Sequence, residues 1–119
     1  ASIINFGIEF TIRVRPNANK IATVQRVINN LRSLLDVSKF QVGEPIVESN
    51  ITLAILNTQG VQALPSLKLI NFFGDVGDIS YSSEVFDLNE NMLNGLVVPP
   101  AGSIFELKFP NTDILGNVL

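Results

Sequence analysis

Four carboxylates, Asp75, Asp78, Glu84 and Asp87, stand within thirteen residues of one another. Such a group could offer oxygens to a hard cation or supply an acid and a base. A calcium loop sets its ligands at alternate positions with a bidentate carboxylate at a fixed later place, and this run does not keep that order. It reads as solvated charge on turns and a strand. Gly74-x-x-Gly77 has the look of a fragment of a phosphate-cradling loop. It lacks the following helix and the Lys or third Gly that give such loops their chemistry, so a hairpin turn is expected. Glu9, Thr11, Arg13 and Arg15 alternate along one expected strand face. A basic stripe of this kind can grip phosphate or carboxylate, but cross-strand ion pairs, with Glu106 as a partner, are the favoured reading. Asn50-Ile51-Thr52 fits a glycosylation sequon yet falls inside an expected helix of a chain without a secretory signal.

The missing residue types narrow the chemistry further. The 119 residues include no His and no Cys. Serine triads, thiol nucleophiles, disulfide frameworks and thiolate or imidazole metal sites are therefore excluded. Catalysis would have to use carboxylates, Lys, Tyr or backbone dipoles, and the expectation is a protein that is not an enzyme and needs no cofactor or metal. Charged residues are 16% and apolar residues 46% of the chain. Disorder needs the opposite balance, and some apolar surface is left over for a partner. The net charge is −3 with the basic residues scattered, so no nucleic-acid partner is expected. No run of about eighteen apolar residues suggests a membrane span. The start has no signal peptide and no Met, which reads as a piece of a longer subunit.

The elements follow from hydrophobic period. Ile8–Arg15 alternates strictly, with Ile8, Phe10, Ile12 and Val14 inward and Pro16 as the stop. Asn19 can cap a helix over Lys20–Asp36, whose apolar stripe is Ile21, Val24, Val27, Ile28, Leu31, Leu34 and Leu35. An extended link with a turn covers Val37–Val47. A second helix is expected over Ser49–Gln59 with Gly60 as its left-handed stop, a buried strand across Ile51–Leu56 being the rival. Val61–Phe73 alternates again, and Pro65 marks an edge or a bulge. Ser80–Leu88 reads as a weak strand, Asn89–Gly95 as a polar loop, Leu96–Val98 as a short apolar step and Ile104–Phe109 as the last strand. The order predicts one α+β domain over residues 1–119, with two helices on one face of a mixed or antiparallel sheet and a β-rich C-terminal extension.

Taken together, these residues resemble a known family. The alternating strand Ile8–Arg15 and helix Ile21–Leu35 are followed by Phe40-Gln41-Val42-Gly43-Glu44-Pro45-Ile46, then by Glu48-Ser49-Asn50-Ile51 opening a helix and Thr58-Gln59-Gly60-Val61-Gln62-Ala63-Leu64 closing it. With Ile104-Phe105-Glu106-Leu107-Lys108-Phe109-Pro110-Asn111-Thr112-Asp113-Ile114 at the end, this order resembles the C-terminal part of the baseplate wedge proteins of T-even-like contractile-tailed phages, relatives of the J-type baseplate proteins. Val42 stands where the family's joint has isoleucine, and Leu64 where related sequences often have valine. The resemblance spans Ile8 to Gly116. It implies a non-enzymatic virion component of the tail baseplate, assembled in the bacterial cytoplasm, that binds copies of itself and neighbouring wedge subunits.

A symmetric self-contact uses the same patch on both copies, and a homodimer is the expected state. The residues expected in that contact are Leu67, Leu69, Phe72 and Phe73 of the Val61–Phe73 strand, Leu96, Val97 and Val98 of the apolar step, and Ile114, Leu115, Val118 and Leu119 of the tail. The competing reading is that the step and the tail cover the edge of the chain's own sheet. A small-molecule-binding regulatory module with Thr11, Arg13 and Arg15 in its pocket is the alternative function, since one fold can host many.

Overall fold

The computed structural model describes residues 2–119 and gives an α+β fold. Strand β1 (Ser2–Val14) is the spine. Its even positions Ile4, Phe6, Ile8, Phe10 and Ile12 are all within 2% of fully buried, as an alternating strand with one face on a core requires. Pro16 and Asn17, the latter at φ 72°, turn the chain into helix α1 (Lys20–Leu34), whose first turn is capped by Asn19 Oδ1 accepting from Ala22 N at 2.9 Å. Val27, Leu31 and Leu35 reach the core. Ile21, expected in the same stripe, is instead 82% exposed: the buried face of α1 runs through Thr23, Val27 and Leu31, and at about 100° per residue Ile21 points well to one side of it.

A single 3₁₀ turn (Val37–Lys39) and the short strand β2 (Ile46–Val47) lead to helix α2 (Glu48–Leu56). The helix reading holds over the strand rival, and Ile51 and Ile55 point into the core. The helix ends at Leu56 with Asn57 as its cap in the right-handed region, so Gly60 is not its stop as expected; at φ 97° it belongs to the turn that leads into the next strand. It also lets the turn approach α1, since a Cβ there would lie 2.8 Å from Thr23 Oγ1.

Strand β3 (Val61–Phe72) runs antiparallel to β1, pairing Ile8 with Leu69 and Glu9 with Lys68. The register slips between Thr11 and Arg13, where Leu64 and Pro65 sit opposite. The expected proline bulge is there, on an edge strand.

On its other side β1 is flanked by two strands in sequence. Strand β8 (Ser103–Glu106) runs parallel to Ser2–Asn5, and strand β9 (Ile114–Val118) runs parallel to Ile8–Ile12. Between them the chain leaves the sheet and makes a short helix, α3 (Pro110–Asp113). The expected strand to Phe109 therefore ends at Glu106. Gly7 makes the excursion possible: a Cβ on it would collide with the Asp113 carbonyl and the Phe72 ring.

The segment 75–97 departs most from expectation. Strands β4 (Asp75–Val76) and β5 (Ile79–Ser80) form the expected hairpin, with Gly77 at φ 61°, the positive first loop position a type II′ turn needs. No strand continues over Tyr81–Leu88. The expected polar loop Asn89–Gly95 contains strand β6 (Met92–Leu93), which Asn94 and Gly95, both at positive φ, turn into β7 (Leu96–Val97). β7 also pairs with β2.

One core joins these parts. Phe6 is its centre, meeting Phe40 and Phe105 edge-on at 5.8 and 6.1 Å, and Leu88, Val97, Leu107 and Ile114 complete it. Both helices cover the even face of β1: Gly116, opposite Phe10, has Val24 of α1 above it, and α2 packs on α1 and β3.

Candidate functional site

Buried polar groups occur where the 79–91 segment and the C-terminal turn meet the sheet, and there asparagine amides replace a strand ladder. Asn5, only 1% exposed, donates from Nδ2 to Glu106 Oε1 at 2.8 Å and accepts the Ser82 N–H at 2.7 Å. Asn71 donates to the Asn5 carbonyl at 2.9 Å and accepts the Phe86 N–H at 2.8 Å. Asn89 donates to the Leu69 carbonyl at 3.0 Å, and the Asp87 carboxylate accepts from the Asn89 and Glu90 N–H groups. Asn5 and Asn71 thus accept the Ser82 and Phe86 N–H groups, so this stretch is tied to the sheet by side chains rather than by a backbone ladder.

Beside this network Tyr81 Oη donates to Asp113 Oδ1 at 2.6 Å, and Phe109 N–H donates to Oδ2 at 3.3 Å. Tyr81 stacks on Phe72 with centroids 5.1 Å apart and meets Phe109 edge-on at 5.6 Å. Burial holds the Asp113 carboxyl above its ordinary value of 3.8, the two hydrogen bonds pulling the other way. Burial, the bond to Asp113 and its charge push the Tyr81 phenol up to about 12. A phenol this reluctant to ionise serves as a fixed donor. The pair fastens the 79–91 segment to the turn before β9.

The carboxylates singled out in the sequence do not converge. Asp75 accepts from Ser80 Oγ at 2.8 Å and Asp87 caps its own turn. Among the described residues no three metal-ligating side chains come together. Glu106 faces Asn5 and not the arginines, and Arg13 lies opposite Ala63, so the expected ion pair with Glu106 is corrected. Thr11, Arg13 and Glu9 lie on the sheet face away from the helices, with Lys68 directly opposite Glu9.

The eleven residues expected in a self-contact divide by burial. Leu69, Val97 and Ile114 are at most 3% exposed and belong to the chain's own core, so a partner cannot reach them. Leu67 and Val118 pack half-buried against the same core, and Phe72 is covered by Tyr81. Phe73, Leu96, Val98, Leu115 and Leu119 stay open, each between 39% and 59% exposed. The tail is therefore an integral strand that covers the edge of β1, with its odd side chains outward. The exposed Ile21, Leu53 and Leu93 were missed. Asn94-Gly95 is the signal that could have found Leu93, since this dipeptide favours a two-residue hairpin and places Leu93 and Leu96 side by side.

Three of the open apolar side chains lie near one another. Leu53 on α2 and Leu96 on β7 line a shallow depression of about 620 Å³ with Val47, its rim made by Glu48, Ser49, Thr52 and Asn94. Leu93, 74% exposed, lies across the hairpin from Leu96. No helix among the described residues is long and apolar enough to cross a membrane. No protein-family model matches the chain, and no curated protein matches it.

Proposed function

We propose that this chain is a non-enzymatic assembly domain of a contractile-tailed phage baseplate wedge, which associates with copies of itself and with neighbouring wedge subunits in the virion. The observation that carries the reading is the bare apolar side chains of Leu53 and Leu96, which share a depression between α2 and the β6–β7 hairpin, and of Leu93 across the hairpin from Leu96. Exposed large apolar side chains brought together beside a polar rim on a charge-poor domain support a contact with another protein. The order of motifs from Ile8 to Gly116 supplies the kind of assembly. The half-buried Tyr81 and the buried Asp113 fit the same reading, because both groups are spent on fastening one segment to another.

The test is genetic. In the phage or prophage that encodes this chain, a nonsense codon within the β6–β7 hairpin is expected to yield particles whose tails lack complete baseplates when viewed by electron microscopy. Complete, contractile baseplates in that mutant would remove the proposal.

A further inference from the structure

The two edges of the central sheet are not equally protected. An edge strand presents unpaired N–H and C=O groups to any passing strand, and proteins blunt such edges with Lys, Pro and bulges. The outer edge of β3 has all three: Pro65, the register slip beside it and Lys68. In addition, Asn89 occupies the Leu69 carbonyl that points outward.

The β9 edge has none of them. Leu119 N–H donates to the Ile12 carbonyl at 3.0 Å, and Asn117 Nδ2 reaches the Phe10 carbonyl. Odd positions of β9 therefore face β1, and the N–H and C=O of Gly116 and Val118 point away from it. Among the described residues these groups have no backbone partner. Ile114–Leu119 contains no charge and no proline. Beside this edge stands α1, with Val24 over Gly116. Three residues before Val24 on the same helix face is Ile21, left 82% exposed.

We infer that the β9 edge is the self-association site, pairing antiparallel with β9 of a second copy about a two-fold axis at Gly116. This rests on the assembly reading above and adds the partner and the register. The strand complements itself. Gly116 meets Gly116 of the other copy and exchanges two hydrogen bonds, as directly opposed residues in an antiparallel pair do. Val118 meets Ile114 on either side. On the exposed face Leu115 lies opposite Asn117 of the other copy, and no like charges meet. The pairing joins both sheets into one and brings the two Ile21 side chains beside the seam.

The register gives the test. Leu115 and Asn117 are exposed, so changing them leaves the core intact. Light scattering on a sizing column, with hydrogen exchange read by NMR, should find a dimer in which the Gly116 and Val118 amides become protected as concentration rises. L115K/N117K sets lysines opposite each other twice and should weaken the dimer about tenfold. L115K/N117D sets opposite charges at the same two places and should restore it. A dimer whose Gly116 and Val118 amides stay unprotected, or which tolerates the lysine pair, would refute the β9 site while leaving self-association in place. A monomer at every concentration would refute the site as well, and the particle phenotype would then decide the assembly reading separately.

Discussion

Alkaline titration of Tyr81 offers a site-specific reading of the buried network, because the chain has one tyrosine and no tryptophan. Absorbance of the phenolate near 295 nm therefore reports a single group. With the phenol pushed up to about 12 against an ordinary 10.0, the folded protein should show no phenolate where a free tyrosine is half ionised. The link to stability has a definite sign. A group whose pKa is higher in the folded state favours folding fully below the unfolded value, and that support is lost as pH rises from 10 through 12. The chain should therefore become less stable as pH rises above 10. A stopped-flow jump to pH 11 separates ionisation from unfolding: absorbance should stay low for as long as circular dichroism reports the folded chain. Asp113→Asn removes the carboxylate charge but keeps the burial, and should bring the midpoint part of the way back towards 10. A fast phenolate signal centred at 10 in the folded protein would refute the buried Tyr81–Asp113 bond.

Other substitutions test the packing around this pair. Asn5→Ala strands the Ser82 N–H and leaves Glu106 without its donor; a loss of about 2–4 kcal/mol is expected in urea unfolding, against less than about 0.5 kcal/mol for the exposed Asn91→Ala. Gly7→Ala forces a methyl against the Asp113 carbonyl and should lower stability by about 1–3 kcal/mol, with faster hydrogen exchange in β9 as its local sign. Asp113 itself is raised above 3.8, so its contribution to stability declines as pH rises from 3.8 through the folded value. Asp113→Asn should flatten that part of the stability–pH curve, and an unchanged slope would contradict the assignment.

Helix α1, β3 and the Ile8–Val14 part of β1 were legible because each has a clear hydrophobic period. Helix α2 has little of one and was read from the residues that flank it, while Ser2–Gly7 of β1 and α3 went unread. The Ile8–Val14 alternation and the Asn19 cap followed by a 3–4 stripe depend on residues close in sequence, and the structure keeps them. What the sequence hid depends on distant residues. Asn5 and Asn71 look like ordinary asparagines, yet their amides do the work of a strand for Ser82 and Phe86, 77 and 15 residues away. The tail reads as spare apolar surface until β1 proves long enough to take β8 and β9 end to end on one edge, with Gly7 at the gap. Ile21 breaks its stripe because the buried face is centred on Thr23, Val27 and Leu31, and a polar Thr gives no sign in the sequence that it belongs to the core. Of the expected contact residues, alternation within β3 and β9 separates Leu69 and Ile114, which are buried, from Leu115, which is bare. The tail's period becomes readable only once it is known to be a strand.

The claim that this is a baseplate assembly domain is tested most directly by quantitative mass spectrometry of purified baseplates. They would be released from particles of the phage that encodes the chain and freed of heads and sheaths. The account predicts that peptides spanning β1 to β9 co-purify with the baseplates in fixed proportion to the other wedge subunits. Their absence from the baseplates, with the chain found only in the soluble lysate, would contradict it.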